Sequence, residues 1–200
     1  MKRIATVVIP LAVVLLSATA VATIVRIPAD FGTIQEGLDV LTSSDTLLVD
    51  DAEYPEALIA PPIAFWLLGN VDLGPGDFSR PVVDASLSVD SVHRGCLTLP
   101  PGSSAVIERI RFRNRRDMVG WAFPGGVSLA SDNLACRYCS FDSCYGSIFQ
   151  PQQSSPATVT LEHCVFRYYW GSVFLPVSSV QATACHVSNV RGIWQMVCGS

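Results

Sequence analysis

Past Lys2 the sequence contains no lysine, and every other basic residue is an arginine. Charged residues of either sign make up 15% of the chain against 50% hydrophobic ones, and there are three histidines in 200 residues. The shortage of positive charge excludes nucleic acid as the main partner, because phosphate backbones are held by a broad positive field. The shortage of histidine, with no G-x-S-x-G elbow anywhere, leaves His93, His163 and His186 without a nucleophile to activate. A long membrane-spanning run is missing as well. The most apolar stretch, Ile4 to Leu16, has thirteen residues, against about 20 for a spanning helix.

That short run has a different meaning. Lys2 and Arg3 precede it and "SATAVA" follows it, the basic, apolar and small-residue order of a secretory signal with cleavage after Ala20 or Ala22. Residues 1–22 are therefore expected to be a removed signal peptide, with no membrane span left afterwards and a mature domain over 23–200. Removing Lys2 and Arg3 from the 13 basic residues leaves 11 against 17 acidic ones, a formal charge of −6. The form of the leader points to a bacterial export route and to a secreted or cell-surface protein, with the periplasm also open.

Helical periodicity is confined to one place. In "TIQEGLDVLTSS" Thr33 and Glu36 have capping-box spacing, and Ile34, Leu38 and Leu41 share a face. Beyond Ser44 the chain reads as short strands, such as "TLLVD", "FWLLG" and "CLTLP", broken by Pro, Gly, Asp and Ser. Four segments also align with one another: "AVIERIRFRNRR", "LACRYCSFDSCYG", "VTLEHCVFRYYWG" and "VQATACHVSNVRG". Their columns Ile110, Cys139, Cys164, Cys185 and Phe112, Phe141, Phe166, Val187 advance by 29, 25 and 21 residues. Gly146, Gly171 and Gly192 close three of the segments, at expected sharp corners. A repeat of that length built from two or more strands and turns suits a solenoid whose coils share one core.

With its opening "IVRIPADFGTIQEGLDVLTSSDTLLVDDAEYPEAL", the chain resembles the right-handed parallel β-helix proteins of the pectin lyase-like superfamily. The resemblance covers most of 23–200 and implies an all-β solenoid with a short N-terminal capping helix. It also raises pectate lyase, polygalacturonase and pectin methylesterase chemistry, none of which the residues match. Paired carboxylates for glycoside hydrolysis are missing from Val127 to Leu129, Ser147 to Phe149, Ser172 to Phe174 and Ile193 to Gln195. Asp50, Asp51 and Glu53 read as turn acids, not as a calcium cluster. Calcium enters only under a lyase reading, and no other cofactor is expected.

Seven cysteines leave at least one unpaired within a monomer. Stacked parallel strands bring Cys139, Cys164 and Cys185 within disulfide range, but with side-chain vectors nearly parallel. A ladder of buried thiols is the expectation, ahead of one bridged pair. A zinc site from Cys136, Cys139, Cys164 and His163 or His186 is disfavoured, because ligands filing along a column do not converge.

Two sets of candidate binding residues remain. Tyr145, Trp170 and Arg191 form a column before the glycines, with Trp121 nearby. They offer either a sugar platform of flat faces and a polar handle or corner packing. Arg111, Arg113 and Arg167 are candidates for an acidic ligand through guanidinium forks. They equally suit a solvated charge ladder, because Arg113, Asp142, Arg167 and Ser188 share one outward column. The function expected is an exported, non-catalytic surface module contacting polysaccharide or cell-envelope glycan. The alternative is a carbohydrate-active enzyme, a lyase or hydrolase, whose catalytic coils lie outside this segment. Because "IWQMVCGS" stops partway through a coil, the chain is expected to be truncated at its C-terminus and to continue into further coils or domains.

Overall fold

The computed structural model describes residues 21–72, 80–87, 95–113, 124–129, 133–144, 147–151, 158–168 and 179–189. These form a parallel β-helix with three sheet faces and one α-helix. Sheet A takes β1 (Ile24–Ile27), β2 (Asp45–Asp50), β5 (Ala64–Asn70), β8 (Ser104–Glu108), β11 (Asn133–Arg137), β14 (Thr158–Glu162) and β16 (Ser179–Thr183) in that order. Sheet B stacks β3 (Glu53–Tyr54), β6 (Val82–Asp84), β9 (Arg111–Arg113), β12 (Ser140–Asp142), β15 (Val165–Arg167) and β17 (His186–Ser188). Sheet C stacks β4 (Leu58–Ile59), β7 (Leu97–Leu99), β10 (Pro124–Leu129) and β13 (Ser147–Pro151). Every pairing is parallel.

Strand alternation decides which residues face inward. On sheet A, Val25, Leu47, Leu67, Ile107, Cys136, Leu161 and Ala182 lie in one register column. On sheet C the column is Leu58, Leu97, Val127 and Phe149, all fully buried. On sheet B the expected Phe112, Phe141, Phe166, Val187 column is present. Its rings stack at 5.3 Å and 5.2 Å, and Phe149 meets Phe141 edge-on at 5.2 Å from the opposite wall. Offset and edge-to-face aromatic pairs add about 0.5–1.5 kcal/mol each beyond area burial.

The α-helix α1 (Ile34–Val40) carries the expected capping box, with the Glu36 amide bound to the Thr33 hydroxyl and the Thr33 amide to the Glu36 carboxylate. Its Ile34 and Leu38 are buried in the core with Leu41 just beyond the helix. The helix is fastened to the first coil by side chains from both partners. Glu56 accepts from the Ile34 and Gln35 amides at 2.9 Å and 3.0 Å. The Gln35 carboxamide accepts from the Ile59 amide at 2.8 Å and donates to the Ile59 carbonyl at 3.0 Å. Gln35 thus does for β4 what a neighbouring strand would do, and satisfies backbone groups of a sheet edge.

From β8 onward the corner between sheets A and B is two residues long. Its first residue is left-handed in each coil: Arg109, Tyr138, His163 and Ala184, with φ of 58°, 53°, 51° and 53°. The following residue, Ile110, Cys139, Cys164 or Cys185, points inward. The corner after sheet B repeats the device at Ser143, Tyr168 and Asn189. None of these residues is glycine. Gly146, Gly171 and Gly192, where the sequence suggested sharp corners, lie outside the described residues, as do residues 1–20 of the expected leader.

Candidate functional site

The thiol column forms as expected. Cys136, Cys139, Cys164 and Cys185 are free thiols, the first three fully buried. Cys139 Sγ lies 3.4 Å from the Ile107 carbonyl, Cys164 Sγ 3.3 Å from that of Cys136, and Cys185 Sγ 3.8 Å from that of Leu161. Each thiol therefore ties its corner to the coil beneath. Burial and the neighbouring Cys136 thiol push Cys139 well above the ordinary thiol range. Hydrogen bonding to Cys139 together with burial does the same to Cys164. Such thiols are poor nucleophiles, because reactivity belongs to the thiolate. Among the described residues no group of three or more His, Cys, Asp or Glu side chains is placed to hold a metal ion. His163 lies at an exposed corner, and His186 is also exposed.

The outward face of sheet B is where the chain gathers its charged groups. Arg113 on β9 sits beside Asp84 of β6 and Asp142 of β12 in the register column. Its Nε donates to Asp84 at 2.7 Å, and its Nη2 reaches both Asp84 and Glu53. Burial alone would raise the Asp84 pKa, but the Ser86 hydroxyl and amide and Arg113 together hold it below the usual carboxylate range. Arg111 reaches diagonally to Asp142, with Nε 2.6 Å from Oδ2, and Arg167 approaches the same carboxylate at 3.5 Å. The structure thus brings Arg111, Arg113 and Arg167 onto one face. Carboxylates already engage all three, as a charge ladder requires.

A second ladder lies along the neighbouring rim of sheet A. Arg137 pairs with Glu108 at 3.2 Å and with Glu162 at 3.0 Å, each one coil away. Arg109, at the corner between β8 and β9, donates from Nη1 to the Val71 carbonyl at 3.3 Å. The turn acids are structural: Asp50 accepts from Asn70 Nδ2 at 2.6 Å, and Glu53 joins Arg113.

Tyr145, Trp170, Arg191 and Trp121, the sugar-platform candidates, lie outside the described residues. Other aromatics do flank sheet B. At the corner entering it, Tyr138 stacks flat on His163, with ring centroids 4.9 Å apart and planes 1° from parallel, and Tyr138 is 43% exposed. At the corner leaving it, Tyr168 is 64% exposed. No spacing in the sequence marks the stacking of Tyr138 on His163. That stacking follows once both occupy the same left-handed position in adjacent coils. The face between the two rims is three residues wide, roughly 10 Å at strand rise.

No family model, no curated protein and no solved structure matches the chain.

Proposed function

We propose that the chain is an exported β-helix of the pectin lyase-like kind, working as a non-catalytic surface module that contacts glycan. The observation that carries this reading is the outer face of sheet B, where exposed Tyr138 on His163 and exposed Tyr168 border columns of guanidinium and carboxylate groups. Flat aromatic faces meet the apolar faces of sugar rings, and charged forks hydrogen-bond hydroxyls and acidic substituents. The sequence's own features support export: the leader-like start, the near-absence of lysine and the negative mature charge. Glycan of the cell envelope or free polysaccharide is the partner class.

The test is retention on a panel of immobilised polysaccharides. Tyr138→Ala and Tyr168→Ala are expected to weaken retention about tenfold each, the size of one lost aromatic platform, while the melting temperature stays close to wild type. Alanine at Ala184 shows that this residue accepts the left-handed corner. Undiminished retention in both variants would remove sheet B as the contact face. Formation of unsaturated products from polygalacturonate with calcium would replace the module reading with the lyase alternative.

A further inference from the structure

The outer face of sheet A changes character along the solenoid. In its first four strands, β1, β2, β5 and β8, the outward positions hold Ile24, Leu48, Trp66, Leu68 and Val106. In β11, β14 and β16 they turn to Arg137, Thr160, Glu162 and Gln181. A sheet face that meets only water carries polar residues at its outward positions. The later strands keep that rule and the earlier ones break it. Ile24 is 54% exposed and Trp66 38%, while Leu48, Leu68 and Val106 are half-buried. Single exposed apolar residues are ordinary, but neighbours on successive strands form one continuous patch, the mark of an interaction surface.

The order of residues across the patch says what fits it. One register row reads Arg26, Leu48, Leu68, Glu108, and the row beside it Ile24, Thr46, Trp66, Val106. The first row becomes its own complement when reversed, which is what a two-fold interface demands. Turning a second copy about an axis parallel to the strands and midway between β2 and β5 lays Arg26 over Glu108 and Leu48 over Leu68. The same turn lays Ile24 over Val106 and Thr46 over Trp66, with strand directions aligned as in face-to-face sheets. A slip of one coil in one direction opposes Arg26 to Arg137. A slip in the other sets Arg26 on Leu68 and leaves Val106 uncovered.

We propose that the outer face of sheet A is the interface of a two-fold dimer of this chain, built on Ile24, Leu48, Trp66, Leu68 and Val106 and registered by Arg26 against the partner's Glu108. The four strands offer a footprint of about 400 Å², from strand spacing and rise, against roughly 800 Å² per partner in a standard interface. The dimer is therefore reversible, with a dissociation constant of roughly 10–500 μM. Pairing through sheet A leaves sheet B of both copies uncovered, so the interface does not rest on the glycan reading and stands or falls separately from it.

The experiment is sedimentation velocity of the whole chain over about 5 μM to 1 mM, a range that brackets the expected constant. A shift from monomer to dimer with rising concentration is expected, stopping at the dimer because a two-fold face closes on itself. Trp66→Ser is expected to weaken association at least about tenfold, as for a central aromatic anchor. Arg26→Glu is expected to weaken it about tenfold by opposing like charges. Both side chains point outward, so both variants are expected to melt close to wild type in dilute solution. Tyr138→Ala, at the corner entering sheet B, is expected to leave association unchanged. A monomer at every concentration, association that Trp66→Ser leaves intact, or growth beyond the dimer overturns the proposal. Oligosaccharide binding by a monomeric chain that Trp66→Ser abolishes also overturns it, because the face then belongs to glycan.

Discussion

Gly69 stands where two coils of backbone come closest: a β-carbon there would lie 2.2 Å from the Arg109 carbonyl oxygen. Backbone cannot step aside as a side-chain tip does. Gly69→Ala is therefore expected to destabilise by about 2–3 kcal/mol, read as a lower midpoint in denaturant. Gly102 gives a contrast, because its constraint is conformational. Its φ is 82° and the nearest atom to an added β-carbon is 3.8 Å away, so Gly102→Ala is expected to cost only about 1 kcal/mol. Arg113, whose side chain is 12% exposed, offers a third test. Truncation to alanine leaves Asp84 buried without its cation, which is expected to cost about 3 kcal/mol.

At the level of single elements, the capped helix and the first coil hold one another through few contacts. Gln35→Ala is expected to speed amide hydrogen exchange at Ile59, which loses its acceptor, while exchange in β8 and β11 stays unchanged. The inward columns were legible in the sequence because alternation and coil length together fix which residues lie over one another. Ile110, Cys139, Cys164 and Cys185 could be aligned from spacing alone. The corner conformations were not legible, because Arg109, Tyr138, His163 and Ala184 carry no chemical mark of a left-handed backbone. The ion pairing was legible in part: the Arg113, Asp142, Arg167 column was visible, but the diagonal reach of Arg111 depends on rotamers.

For the whole molecule, buried ionisable groups set limits at both ends of the pH scale. Cys139 and Cys164 have folded pKa values raised above those of the unfolded chain. Their contribution is present below about pH 8.5–9 and declines as pH rises, because only the unfolded state releases the protons. Loss of roughly 1 kcal/mol per thiol per pH unit is expected above that point, measurable as a falling denaturation midpoint that Cys139→Ala makes shallower. Asp45, held low by the Thr23 and Thr42 amides and the Thr42 hydroxyl, and Asp84 act in the opposite sense. Their contribution is present above about pH 4 and is lost as acid protonates them.

Because each coil meets only the coils on either side, the number of coils sets the reach of the molecule independently of its cross-section. Duplicating the segment from Asn133 to Ala157 would lengthen the rod by one strand spacing, about 4.8 Å, and add another pair of rims to sheet B. Inserting a single residue within β11 would do the opposite. It would turn Cys136 to the solvent and bring Arg137 into the lumen, so copying a coil is tolerated where a small frame slip is not.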